Sequence, residues 1–400
     1  MTYDLARVRA QFPALALGVA HFDGPGGSQV PSVVADAVAA TMTAGLANRG
    51  AVTDAERRAE TVVVEARQAV ADLVGSDPSG VVFGRSMTQN AYALARTLAK
   101  GWAPGDEVVV TRLDHDANVR PWVQAAQAVG AVVRWAEPDR ETTELPVEAV
   151  AAVLSDRTRL VAVTAASNLV GTRPDVRGVA DAVHDAGALL HVDAVHLVPH
   201  VPIDGAELGA DLLSFSPYKA CGPHLGVTVG APSLLDQLQP DKLLPSTDAV
   251  PERFELGTLP YELLAGATAS VEFLAGLDDA AQGSRRDLVL ASMAAVEAHE
   301  DALLAVLLDG LRALPGVVLH GSPARRTPTV LLSVKGRDSR DVSAHLAARG
   351  VNAPAGSFYA LELSRWIGLG DGGAVRAGLA PYTDRDDVDR LLAAVAELAA

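Results

Sequence analysis

The chain has 400 residues, 49% of them apolar and 20% charged, so it has ample surface to bury and is not a disordered polymer. That length predicts roughly two to three domains, and with aromatics at 4% the core must be built from Ala, Val and Leu. A formal charge of −16 opposes nucleic acid and anionic membrane as partners, and the single cysteine, Cys221, excludes a disulfide framework, a Cys-rich zinc site and an iron–sulfur cluster.

The first residues lack the basic start and unbroken apolar stretch of a secretory peptide, and no run of about eighteen apolar residues occurs. With the lone thiol, these features predict a cytoplasmic protein. After an N-terminal arm (residues 1–20), Val62, Ala66, Ala69, Val70, Leu73 and Val74 share one helical face. Short apolar runs then alternate with helical segments. The runs Val81–Phe83, Val108–Thr111, Ala131–Trp135, Leu160–Ala165, Leu189–Val192 and Leu212–Phe215 suit strands buried on both faces. Between most of them, Thr88–Lys100, Pro121–Val129, Val147–Leu154 and Val176–Ala186 read as helices. Such alternation predicts an α/β domain over residues 21–275, with a largely parallel sheet flanked by helices. Gly226–Gly230 follows a turn closely and is expected as an antiparallel or edge addition.

After about residue 275 the character changes. A long Ala/Leu-rich helix, Arg285–Leu314, precedes strands Val317–His320 and Thr329–Val334, a helix Ser339–Arg349, a strand Ala374–Leu379 and a terminal helix from Asp384. Residues 276–400 are therefore expected to form a small α+β domain packed with the N-terminal arm. Asp384, Asp386 and Asp387 complement the positive end of the last helix.

In an open parallel sheet, ligands bind beyond the carboxyl ends of the strands. There the sequence places Gly84-Arg85-Ser86-Met87-Thr88, then Asp114-His115-Asp116-Ala117-Asn118, then Ser167-Asn168. Asp193-Ala194-Val195-His196 and Ser216-Pro217-Tyr218-Lys219-Ala220-Cys221 follow the last two runs. Taken singly, Asn168 reads as a turn former, Asp193 as a helix cap and Lys219 as a surface lysine. Their joint placement suits pyridoxal 5'-phosphate, whose aldehyde needs an amine, whose ring nitrogen needs a carboxylate and whose phosphate needs N–H and hydroxyl donors. No G-x-x-x-x-G-K-[ST] and no G-x-G-x-x-G opening the first βα unit offers a nucleotide site, and Asp23-Gly24-Pro25-Gly26-Gly27 reads as a turn-rich loop.

On these residues the chain resembles the class V aminotransferase family of fold-type I pyridoxal-phosphate enzymes, in its cysteine desulfurase-like subgroup. The similarity runs from His21-Phe22-Asp23-Gly24-Pro25 to Val375-Arg376-Ala377-Gly378-Leu379, and is most specific in His191-Val192-Asp193-Ala194-Val195-His196 and Ser214-Phe215-Ser216-Pro217-Tyr218-Lys219. It implies a mostly parallel sheet of the seven-stranded type and a small C-terminal domain. It also implies that Lys219 is the Schiff-base lysine, Asp193 the partner of the ring nitrogen, and His115 the ring-stacking residue. Asn168 would bind the phenolic oxygen. Met87, Thr88 and Ser216 would hold the phosphate, and Arg376 the substrate carboxylate. Family members are usually homodimers, and Thr258 matches a residue that reaches the neighbouring subunit's phosphate.

Three departures bear on the reaction. Tyr218 stands where desulfurases usually carry His before the lysine; its phenol could donate to the phosphate or help in proton transfer. His196 stands at a position that is often Gln, and reads equally as a donor to the cofactor or as a satisfied histidine behind it. The stretch Asn352–Leu361, where a desulfurase carries its nucleophilic cysteine, has none, and Cys221 beside Lys219 reads as a small buried thiol. The resemblance therefore points to elimination from a small amino-acid substrate, cleaving a carbon–sulfur bond. Transamination, epimerisation, true desulfuration with a sulfur-acceptor protein, and a non-catalytic scaffold remain as alternatives. Phe358, Tyr359, Trp366 and Asn48-Arg49-Gly50 read as pocket or packing elements alike.

Overall fold

The computed structural model describes residues 3–399. Seven strands form one sheet in the order Val81–Gly84, Gly226–Gly230, Leu212–Phe215, Leu189–Asp193, Thr158–Thr164, Glu107–Thr111, Val132–Ala136. The last five pair in parallel along that order. Parallel neighbours need long crossovers, and helices Arg120–Val129, Val147–Ala151 and Val176–Asp185 supply them. Gly226–Gly230 is antiparallel to both of its neighbours and lies inside the sheet, not at its edge. One edge is Val132–Ala136, the other being Val81–Gly84; Val132–Ala136 alternates between covered and open positions and so departs from the two-faced burial expected of it. It has a single partner strand, and its outward Arg134 is tied to Glu107 across that pair at 2.6 Å.

Local sequence fixes where the helices begin. Thr53 and Glu56 form a reciprocal capping box that starts helix Asp54–Val74, and Gly75, at φ 68°, ends it. That helix buries Val63, Ala66, Ala69, Val70, Leu73 and Val74; each fully buried Val or Leu stabilises by about 1.5–3 kcal/mol. Helix Val147–Ala151 stops sooner than the apolar pattern suggests, with Ala152 as its cap. At the last helix, Arg385–Ala399, the Asp384 carboxylate accepts the Asp387 N–H at 2.8 Å.

A second, antiparallel sheet has the order Ala355–Gly356, Ala374–Gly378, Thr329–Val334, Val317–His320. Helix Arg285–Arg312 serves both cores: Val289, Met293 and Val296 pack with the large sheet's cluster, and Leu304, Leu307 and Leu311 with the small one's. The N-terminal segment is tied to later parts of the chain. Arg7 donates to the carbonyls of Gly276 and Leu277, Arg9 to Tyr382 and Asp387, and Ala20–His21 pairs with Val351–Asn352. No described helix is long and apolar enough to cross a membrane.

Candidate active site

The polar residues that follow successive strands converge on one cavity at the carboxyl edge of the large sheet. Met87, Thr88, His115, Asn168, Asp193, His196, Ser216, Tyr218 and Lys219 all line it. It continues into a space of about 580 Å³ that adds Arg376, Phe358 and Tyr359. Thr258 is not among these residues; it is exposed and lines a separate groove with Phe83, Gly84 and Arg85.

One wall is the start of helix Met87–Ala99. Ser86 caps it, its hydroxyl accepting the Gln89 N–H at 3.1 Å, so the first N–H groups of the helix stay free for an anion. A Cβ at Gly226 would overlap the Ser86 carbonyl and the Met87 nitrogen, so glycine is what lets this helix start press onto the sheet.

The same lining carries the titratable groups. Lys219 sits on the single turn Pro217–Lys219 directly after strand Leu212–Phe215, and its Nζ donates to the Pro25 carbonyl at 2.7 Å. Burial, reinforced by the Arg376 charge and opposed by Asp193, holds its ammonium below the usual lysine range. Asp193 ends strand Leu189–Asp193 and accepts the Val195 N–H at 2.9 Å; burial raises its carboxyl, against that bond and the Lys219 charge.

His115 opens the turn Asp116–Asn118, and its Nδ1 accepts the Ala117 N–H at 3.0 Å. Burial first, then the Lys219 and Arg376 charges, push its pKa down to about 3, so the ring is neutral with its proton on Nε2. His196 Nε2 lies 2.9 Å from Thr329 Oγ1, and its Nδ1 is buried without a partner. Asn168 donates from Nδ2 to the Phe358 carbonyl at 2.9 Å, while its Oδ1 is likewise buried and unpartnered.

Arg376 is 2% exposed, and no carboxylate pairs with it among the described residues. Its Nη1 donates to the Asn168 carbonyl at 2.9 Å, its guanidinium stands 3.8 Å from the Phe358 ring centre, and its Nε has no partner. Burial pushes its pKa down to about 9. A buried cation left this way is costly unless an anion joins it.

Some features that shape the cavity escape a reading of the sequence, whereas Phe358 and Tyr359, read there as pocket or packing elements, do line it. The Pro25 carbonyl comes from the turn-rich loop, which packs on Gly378 so closely that a Cβ there would strike Pro25. Phe358 and Tyr359 both have left-handed backbones, at φ 51° and 59°, a conformation unfavourable for bulky residues. They are held by Asn168 and by the Asp116 N–H, which donates to the Tyr359 carbonyl at 2.7 Å. Behind the cavity a buried polar chain runs from Asp114 through Asn118 and His191 to Ser214 and Thr228. Burial lifts Asp114 to about 8. Trp366 instead bonds the Pro138 carbonyl, and Arg49 pairs with Glu60 and Glu252; neither lines the cavity.

The family model "Aminotransferase class-V" matches residues 20–391. The chain is 39% identical over 405 residues to Uncharacterized protein MT3887 of Mycobacterium tuberculosis, covering 100% of each. It is 31% identical to Aminotransferase-like protein FGM3 of Gibberella zeae, covering 98% of each. Among solved structures, the cysteine desulfurase CsdA from Escherichia coli superposes with a TM-score of 0.87 at 27% identity, over 100% of this chain and 99% of that one.

Proposed function

The chain belongs to the aminotransferase class-V family, and from that premise we propose that it cleaves a carbon–sulfur bond of an α-amino acid by β-elimination. It is a pyridoxal 5'-phosphate-dependent enzyme of the cysteine desulfurase-like group. The residues present fit that cofactor. The free helix start and the unpartnered His196 Nδ1 offer donors, the orphaned Asn168 Oδ1 an acceptor, and the buried Asp193 and Lys219 the carboxylate and amine it needs. Bound there, the cofactor supplies an electron sink for bond cleavage next to the substrate's α-carbon.

We assign the chain's own groups accordingly. The Met87 and Thr88 N–H groups with the Thr88 and Ser216 hydroxyls would hold the phosphate, and the Tyr218 phenol lines the same cavity. Asp193 would keep the ring nitrogen protonated, the neutral His115 would lie against the cofactor ring, and Asn168 and His196 would bind the phenolic oxygen. Lys219 would hold the cofactor's aldehyde carbon and, as a free amine, would accept the substrate's α-proton at Nζ; its lowered pKa makes that free amine accessible near neutrality. Arg376 fixes the substrate carboxylate. The exposed Thr258, with Leu256 also exposed beside it, supports a homodimer in which this loop reaches the neighbouring site. The lone, unpaired thiol supports a cytoplasmic location.

The observation that carries elimination over desulfuration is the thiol inventory. The Phe358–Tyr359 segment that lines the cavity offers no thiol, and Cys221 is buried, its pKa pushed up to about 12 by that burial. Without a thiolate to take sulfur from the substrate, proton removal at Lys219 and loss of the sulfur substituent remain. With water, the products are pyruvate, ammonia and a thiol. The cofactor-loaded protein is expected to release these three in equal amounts from S-methyl-L-cysteine. Lys219→Ala is expected to abolish turnover and the visible absorption of lysine-bound cofactor. Alanine with a protein-bound persulfide from L-cysteine, or a keto acid formed only when an amino acceptor is added, would overturn the assignment. A protein that never acquires the visible band would return it to the scaffold reading.

A further inference from the structure

The cavity that reaches Lys219 and Arg376 also has Asp116 and Arg120 in its wall. These two form an ion pair, Arg120 Nε to Asp116 Oδ1, at 2.8 Å. They do not use each other up. Asp116 Oδ1 is taken by Arg120 Nε, while Asp116 Oδ2 and Arg120 Nη1 have no hydrogen-bond partner among the described residues. Arg120 Nη2 is held by Glu362, which also binds Arg112 at 3.0 Å, and Arg112 in turn pairs with Glu137 at 3.0 Å. The arginine is thereby fixed from behind, with one nitrogen left over.

A cavity wall that offers a carboxylate oxygen and a guanidinium N–H side by side complements a group carrying both an ammonium and a carboxylate. It does not complement an apolar end, which would cover Asp116 Oδ2 and Arg120 Nη1 without giving either a partner. Tyr92 and Phe358 line the same space and give apolar surface for a thioether chain. We propose that the preferred substrates are cysteine S-conjugates whose far end is itself an α-amino acid, its ammonium on Asp116 and its carboxylate on Arg120. This rests on the elimination reading above and names its substrate class. For L-cystathionine, the carbon–sulfur bond on the cysteine side breaks, the sulfur leaves with a proton as homocysteine, and water releases pyruvate and ammonia from the remainder.

Three probes share the reacting end and differ at the far end: L-cystathionine, S-methyl-L-cysteine and S-benzyl-L-cysteine. Calorimetric binding to the cofactor-loaded Lys219→Ala protein reads affinity without turnover, and kcat/KM is read on the loaded wild type. Cystathionine is expected to bind about tenfold tighter than either of the others. Asp116→Asn and Arg120→Gln, each placed in the Lys219→Ala background, are expected to remove that advantage while S-methyl-L-cysteine moves less than about twofold. Equal loss for all three probes, or S-benzyl-L-cysteine binding as tightly as cystathionine, overturns the proposal. The two readings fail separately. A cystathionine preference in binding with no pyruvate from any probe upholds the substrate class and sinks the reaction; pyruvate without that preference does the reverse.

Discussion

Arg67 and Arg376 are both almost wholly buried, at 6% and 2% exposure, yet one is matched by carboxylates and the other is not. Arg67 meets Glu255 through two nitrogens, each 2.9 Å from a carboxylate oxygen, and Glu255 also accepts the Phe83 N–H at 2.9 Å. Phe83 lies on the outermost strand, where an unpaired backbone donor invites wrong pairing. That cluster is closed: every charge has its counter-charge and the sheet edge is capped. Arg376 stands over an aromatic ring beside the cavity, with a carbonyl and no anion. The first arrangement serves the fold. The second keeps a charge waiting for a ligand, and the fold carries its cost.

The contrast can be broken by removing one group on each side. Glu255→Gln leaves Arg67 buried without its full counter-charge, so unfolding in urea is expected to show a loss of about 3–5 kcal/mol. Catalysis per folded molecule should not change. Arg376→Gln should do the opposite. It removes a cation that is already unmatched, so the denaturation midpoint of the cofactor-free protein should stay near that of the wild type. Its kcat/KM for amino-acid substrates should fall about a hundredfold, chiefly through KM, because a charge-assisted contact to the substrate carboxylate is lost. If Arg376→Gln unfolds as readily as Glu255→Gln, the guanidinium is a structural group and the division fails.

The two clusters were also unequally legible in the sequence. Arg376, mid-strand in Ala374–Gly378 of the antiparallel sheet, was marked only by the family resemblance. Lys219, Asp193 and His115 lie at or near strand ends of the parallel sheet, where chain order brings them to one edge. Their place followed from the alternation of apolar runs and helices. Glu255 carries no such mark. It meets Arg67 across 188 positions because a short turn, Glu252–Phe254, happens to pass the outer strand, and no local period announces that. The same holds for the Pro25 carbonyl under Lys219 and for Thr329 beside His196, which depend on how the two sheets sit together. The reversed strand Gly226–Gly230 was readable as antiparallel, because a short turn cannot cross over to a parallel neighbour. Its place inside the sheet was not, because strand order is set by later packing. The left-handed backbones of Phe358 and Tyr359 run against their side chains' preference, and local propensity would not predict them.

Cys221 sharpens the contrast by its smallness. It is buried, close to Lys219 in sequence, and also in a left-handed conformation at φ 63°, with its N–H on Ser28 Oγ at 2.8 Å. If every unpaired buried group near the site were a working one, this thiol would be too. Its chemistry says otherwise. Arg376 is charged and faces the cavity; Cys221 does not line it, and burial lifts its thiol from 9.0 to about 12, partly offset by Ser28. A raised thiol pKa keeps the proton on sulfur through neutrality and well above it. Iodoacetamide at pH 8 should therefore label the folded protein roughly a thousandfold more slowly than the denatured chain. The labelling rate should go on rising past pH 9, where an ordinary thiol levels off. Cys221→Ser should leave kcat/KM within about twofold, the size of effect expected away from reacting groups. Rapid labelling of the native protein, or loss of pyruvate formation in a folded Cys221→Ser variant, would make the thiol a participant and bring the desulfurase mechanism back.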